Sequence, residues 1–213
     1  MSKKEIAVKK AEKSAFGARE ITQIGILSGI AFVLMSVEFP LWFAPGFYKL
    51  DLSELPVLIG GFAMGPLAGV MIEMIKVLLY FFIHGSTTAG VGDLANFVIG
   101  CCFIVPATVI YRMHKTKRRA ILGLAVGTVA MTAVGSLMNA FLLLPLYASV
   151  FHMPLEALMA MGTQVNPSIT DLRSFVFFAV VPFNLFKGTL VSCLTILIYK
   201  KVSPILHGTF RKA

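Results

Sequence analysis

Almost every charge in this chain stands at the end of an apolar run, and that arrangement names the solvent before any motif is read. Apolar stretches lie near 21–38, 54–65, 66–84, 92–113, 120–148 and 172–199. A helix that crosses a bilayer needs about 20 mostly apolar residues, and soluble domains are roughly one quarter charged. Here Asp, Glu, Lys and Arg make up 14% of the residues against 57% hydrophobic ones. The sequence therefore predicts an all-α integral membrane protein with six transmembrane helices, the second of them short.

The boundary between the second and third runs rests on Gly65-Pro66, because proline lacks the amide proton a helix interior uses and glycine favours turn geometry. Reading 54–84 as one span would leave five helices and put the chain ends on opposite sides. Charge decides between the two. Basic residues fall in three blocks: Lys3, Lys4, Lys9, Lys10, Lys13 and Arg19; Arg112, Lys115, Lys117, Arg118 and Arg119; and Lys200, Lys201, Arg211 and Lys212. Six spans put all three on one side, which the positive-inside rule makes the cytoplasm. The expected organisation is a basic cytoplasmic tail over 1–20, a six-helix transmembrane substrate-binding domain over 21–203 and a cytoplasmic tail over 204–213, with both termini cytoplasmic. The first run is long for a signal peptide and no A-x-A site follows it, so it is read as a retained helix.

Several function classes fall away. The net charge of +9 is a topology signal, since the basic blocks flank spans and lack the interleaved aromatics of a nucleic-acid surface. No phosphate-cradling G-x-x-x-x-G-K-[ST] loop is present, which assigns any ATP-driven work to another chain. Cys101, Cys102 and Cys193 lie within spans, and His84, His114, His152 and His207 lie at span ends or in loops. That distribution offers no metal framework and no clustered catalytic groups, so neither an enzyme nor a bound cofactor is expected.

The polar residues inside the spans gather toward the side away from the basic loop. At about 1.5 Å per residue, Asn139 stands about 30 Å above that loop and Lys187 about 20 Å above Lys200. Asn184 and Lys187, at i and i+3, share one helix face. Pro182 just before them marks the start of regular helix, leaving 171–181 as an interfacial segment. Glu38, Lys49, Asp51, Glu54, Asp93 and Asn96 cluster at the same outer ends. Groups this polar face a protein interior or a watery cavity when they lie at membrane depth, so an outward-facing solute pocket is expected. Two readings compete at each position: Asn139 as ligand contact or interhelical hydrogen bond, and Glu38, Asp51 and Glu54 as ligand contacts or helix-starting acids. Glu73 and Lys76, i and i+3 in the third helix, read as a mutually neutralising structural pair, with gating as the lesser reading.

The proline-stiffened loop from Phe39 to Tyr48 carries Trp42, Phe43, Phe47 and Tyr48, rings that suit either an interfacial belt or a lid. Small residues at four-residue spacing, including Gly25 and Gly29, Gly61, Gly65 and Gly69, and Gly123 and Gly127, permit close helix approach. The first helix is the best candidate for a face that meets a partner.

Lys49-Leu50-Asp51-Leu52-Ser53-Glu54-Leu55-Pro56, Gly65-Pro66-Leu67-Ala68-Gly69, Glu73 with Lys76, Gly85-Ser86-Thr87-Thr88, Gly92-Asp93-Leu94-Ala95-Asn96 and Pro182-Phe183-Asn184-Leu185-Phe186-Lys187-Gly188 stand in this order along the chain. Together they resemble the riboflavin-specific S components of energy-coupling-factor (ECF) vitamin importers, over nearly the whole length. The resemblance implies a multi-pass protein of the bacterial cytoplasmic membrane that captures riboflavin at the outer face. It also implies a transmembrane coupling protein and two cytoplasmic ATPases as partners, with membrane lipid around the bundle. Asn139, Asn184 and Lys187 match the family's ligand contacts, and the loop bearing Trp42 and Tyr48 matches the segment that covers the site. Gly25 and Gly29 occupy the partner-facing stripe, where the family commonly has alanines.

A flavin suits these residues. Its pyrimidine edge alternates donors and acceptors that a side-chain amide matches with two hydrogen bonds. Its ring would stack on phenylalanines, and a polyol tail would use partners such as Glu38 or Asp51. Lys187 would meet ring carbonyls, or a phosphate if flavin mononucleotide (FMN) were the cargo. The alternatives are an S component for pantothenate, thiamine or folate, and a stand-alone secondary transporter whose proton coupling would fall to Glu73.

Overall fold

The computed structural model describes residues 16–86, 90–150 and 154–207. The basic residues from Lys3 to Lys13, Thr87, Thr88, His152, Arg211 and Lys212 lie outside that set.

Each apolar run folds as a helix. Helix α1 (Ala18–Met35) starts at Gly17, whose backbone N–H donates to Glu20 Oε2 at 2.9 Å. A hairpin follows, its strands β1 (Phe39–Pro40) and β2 (Lys49–Leu50) pairing antiparallel, Phe39 opposite Leu50 and Pro40 opposite Lys49. The aromatic loop is thus pinned at both ends. Helices α2 (Glu54–Met64) and α3 (Pro66–His84) are separated by Gly65, whose φ of 111° lies where glycine carries no steric penalty. Pro66 opens α3 at the position where a missing N–H costs nothing. Helix α4 (Val91–Met113) leads through the basic loop to α5 (Lys117–Met138), capped by Thr116 Oγ1 accepting from Arg119 N–H at 3.3 Å.

Beyond α5 the chain stays helical through a wide π turn at Asn139–Leu143 and on into α6 (Leu144–Val150). Helix α7 (Leu155–Val165) follows, in a stretch for which the sequence predicts no element. The last helical run corrects one expectation. It starts at Leu172, capped by Asp171, and not at Pro182: α8 (Leu172–Phe175) passes through a second π turn at Val176–Val180 into α9 (Val181–His207). Both π turns end just short of a proline, Pro145 and Pro182. A proline has no N–H for the carbonyl four residues back and its ring crowds that carbonyl. The wider turn, closed by Leu144 N–H to Asn139 O and Val181 N–H to Val176 O, lets the helix continue past each ring.

Among the described residues, five helical runs are long and apolar enough to span a bilayer. The sixth, α2, rises about 16 Å over its 11 residues, roughly half a hydrocarbon core. It packs against α1, α3, α4 and α9, so it lies inside the bundle. One core of Ile24, Leu27, Leu58, Ile72, Phe103 and Leu124 fills the centre. A second, built on Leu144, Leu158, Ile169, Phe175 and Val180, holds α7 against the helices that bear the π turns. Gly123 and Gly127 bring α5 onto α4, since an added Cβ would stand 2.5 Å from Ala107 O and 2.4 Å from Phe103 O. Outward, large apolar side chains are exposed, Phe82 at 77% and Phe141 at 79% among them. Water would penalise that surface; lipid does not.

Candidate functional site

The end of the bundle opposite the 112–119 loop holds a cavity of about 400 Å³. Its floor and walls come from segments spread along the chain. The end of α1 gives Met35 and Glu38, the hairpin gives Phe47, Tyr48 and Lys49, and the residues leading into α2 give Asp51 and Glu54. Helix α4 adds Asn96 and Gly100, the first π turn adds Asn139 and Leu143, and α9 adds Phe183, Asn184 and Lys187. Glu38, Tyr48, Asp51, Asn96, Asn139, Asn184 and Lys187 are therefore brought together around one space. Trp42 is not among them: it is 89% exposed and packs edge-on against Phe43, which packs on Phe186.

Asn139, Asn184, Lys187 and Glu38 are each held by partners within the fold. Asn139 donates its amide N–H to Gly135 O at 2.8 Å and accepts from the Tyr48 hydroxyl at 2.5 Å, so the loop is latched to the helix beneath it. Burial raises the Tyr48 hydroxyl above its usual range, keeping it a donor. Asn184 donates to Val180 O at 2.9 Å and lies against Gly135, where an added Cβ would come within 3.3 Å of its Nδ2. Lys187 Nζ stands 2.7 Å from Asp51 Oδ2. At the mouth Glu38 meets Lys49 Nζ at 2.7 Å and accepts from Tyr80 at 3.3 Å.

A mouth of mixed charge, two buried amides and aromatic walls make a site for a flat, hydrogen-bonding solute. The family model described as ECF transporter, substrate-specific component, matches residues 19–199. The chain belongs to that family. It is 35% identical over 189 residues to the Riboflavin transporter RibU of Staphylococcus aureus (strain TCH60), covering 88% of this chain and 92% of that one. It is 33% identical over 189 residues to the Riboflavin transporter FmnP of Bacillus subtilis (strain 168), covering 87% and 93%. A solved S component of a bacterial ECF transporter superposes with a TM-score of 0.68 at 33% identity, over 88% of this chain and 96% of that chain.

This S component is a membrane protein, and beneath its cavity runs a second set of charges. Lys76, fully buried, pairs with Glu73 at 2.7 Å and with Glu54 at 3.0 Å, and donates to Ser53 Oγ at 3.1 Å. The pair within α3 follows from its i, i+3 spacing, whereas Glu54 arrives from α2 through tertiary packing. Tyr80 and Tyr147 also line the cavity and go beyond the sequence reading. Their signal is helical spacing: Tyr80 is four residues past Lys76, and Tyr147 continues the register of Asn139 and Leu143. Of the partner-stripe residues, Gly25 is exposed and Gly29 partly so, and an added Cβ meets nothing within 4 Å at either.

Proposed function

We propose that this chain is the riboflavin-binding S component of an ATP-dependent ECF importer in the bacterial cytoplasmic membrane. It spans that membrane with six helices, α2 the short one, with both termini cytoplasmic, and captures the vitamin at the outer face. A transmembrane coupling protein, docked on the Gly25 and Gly29 face of α1, and two cytoplasmic ATPases complete the machine. Riboflavin is cargo and no cofactor takes part.

The observation that carries this reading is the convergence of Asn139, Asn184 and Lys187 on one cavity walled by Phe47, Tyr48, Tyr147 and Phe183. A flavin ring slots between the aromatic walls, its polar edge toward the two amides and the ammonium group, its polyol toward Glu38, Asp51 and Asn96. The ligand edge competes with Tyr48 for Asn139, so binding exchanges the latch for a ligand bond. That exchange couples occupancy to the position of the loop. The relatives named for riboflavin transport support the same cargo.

The test is a titration of detergent-purified protein into riboflavin, following flavin fluorescence, which stacking on the cavity tyrosines quenches. Saturable sub-micromolar quenching, with thiamine and pantothenate failing to compete, is the expected result. Competition by thiamine or pantothenate at equal concentration would keep the importer and overturn the cargo. FMN in the same assay shows whether Lys187 and Lys49 accept a phosphate.

A further inference from the structure

At the opposite end of the bundle, beside the 112–119 loop, two cavities adjoin. The larger, about 300 Å³, lies between α2, α4, α5 and α9 and is lined by Phe62, Tyr111, Ile196, Leu197 and Tyr199, with Lys115 and Lys117 on its rim. The smaller, about 130 Å³, lies against the α2 to α3 turn between Arg112, Lys115 and Glu20. Phe62 and Lys115 line both, so an apolar cavity and a charged one lie side by side.

The details suit a molecule built the same way. Leu197, 68% exposed, continues the lipid-facing surface into the larger cavity. The hydroxyls of Tyr111 and Tyr199 bond each other at 3.3 Å, so part of the polar capacity in the apolar cavity is already engaged. Gly65 admits the guanidinium of Arg112 to the turn, because an added Cβ would stand 2.6 Å from Nη1. Glu20 is the opposing charge, and its Oε2 already accepts the Gly17 N–H at 2.9 Å. Three cations against one engaged carboxylate call for an anion. A free inorganic anion would leave the apolar part empty, and a zwitterionic headgroup would bring a further cation to a cationic site.

We propose that this double cavity binds one anionic phospholipid, an acyl chain lying along Phe62, Ile196 and Leu197 and the phosphate between Arg112 and Lys115. Basic pockets between helices on the cytoplasmic side are where anionic headgroups are held, so the assignment rests on the orientation given above. The site is separate from the vitamin cavity, which shares none of these residues.

Native mass spectrometry of the full chain in detergent, with equimolar phosphatidylglycerol and phosphatidylcholine, reads the headgroup preference without needing a leaflet. One phosphatidylglycerol per chain should be retained at least about tenfold over phosphatidylcholine. Arg112→Gln with Lys115→Gln should abolish the preference, and Ala120→Phe, which fills the apolar part without touching the charges, should abolish retention. Equal retention of the two lipids overturns the proposal, as does unchanged retention in the charge variant. Displacement of the lipid by millimolar inorganic phosphate would assign the site to a free anion and overturn it too. Riboflavin titration of the same samples shows that each variant is folded. It also keeps the two readings apart, since a chain that binds riboflavin without lipid preference loses only this inference.

Discussion

Lys187 Nζ lies 2.7 Å from Asp51 Oδ2, a bond between residues 136 positions apart that ties α9 to the segment entering α2. Asp51 Oδ1 accepts the N–H of Ser53 at 2.9 Å and its hydroxyl as well, and Ser53 Oγ accepts from Lys76. The cation facing the cavity and the cation inside the bundle are therefore three hydrogen bonds apart, through one aspartate and one serine. Whatever binds at Lys187 acts on a chain of charges that reaches α2 and α3.

Removing either polar contact on α9 should weaken binding. Lys187→Ala and Asn184→Ala are each expected to lower riboflavin affinity by about 1 to 3 kcal/mol, read by titration calorimetry. Lys187→Ala should also lower thermal stability, because Asp51 loses its counter-charge. Unchanged affinity in both variants would remove the site assignment.

Gly135→Ala tests the fit of Asn184. The new methyl stands 3.3 Å from Nδ2, so the amide must shift by a few tenths of an ångström. Riboflavin affinity should fall by about 1 kcal/mol while the melting temperature stays close to that of the parent.

The inner cluster sets two buried ammonium groups, Lys76 and Lys187, against three carboxylates, Asp51, Glu54 and Glu73. Lys76→Met strands Glu54 and Glu73 together and should cost about 3 to 5 kcal/mol. Glu73→Gln leaves Lys76 paired with Glu54 and should cost about 1 kcal/mol or less. Uptake by cells carrying Glu73→Gln should persist, and its loss would restore the proton-coupled transporter.

Burial pushes the Asp51 carboxyl up, but the ammonium groups of Lys187 and Lys76, with hydrogen bonds from Lys187 and Ser53, outweigh it and hold the carboxyl at about 2. A depressed value contributes stability that is present above the ordinary carboxylate range and lost as pH falls toward 2. Riboflavin affinity should accordingly stay flat from about pH 5 to about pH 8. A titration step within that window, abolished by Asp51→Asn, would contradict the pairing.

Gly29→Leu should leave riboflavin affinity unchanged, since its side-chain position faces open space outside the cavity. Co-purification with the coupling protein should drop, because a small-residue face permits close helix approach and leucine does not. Full assembly with Gly29→Leu would move the contact elsewhere.

The apolar runs made α1 to α5 and α9 legible, and Gly65-Pro66 placed the break between α2 and α3, because length, hydropathy and proline geometry are local properties. Depth took Asn139 and Lys187 to the outer half of the bundle, and i, i+3 spacing put Asn184 on the face of Lys187. Other features depend on what the fold brings together. Glu54 reaches Lys76 across 22 positions, and nothing in either local sequence requires it. Helix α7 is too short for a span and owes its place to packing of Leu158 and Met159 against Phe175 and its neighbours. Trp42 reads as either a belt or a lid residue by composition, and the fold turns Tyr48 into the cavity while leaving Trp42 in the open.

The π turn at Val176–Val180 sets the phase of two faces. Phe175 and Asn184 are nine positions apart, which in an unbroken α-helix would put them about 180° apart. One extra residue absorbed in the wide turn reduces this to about 80°, so Phe175 can pack on Phe47 and Tyr48 while Asn184 faces the space beneath them. Straightening that turn into regular α-helix at the same chain length would keep every side chain that matters and point one set of them at lipid. In this protein the vocabulary of the binding site includes the length of the chain between its words.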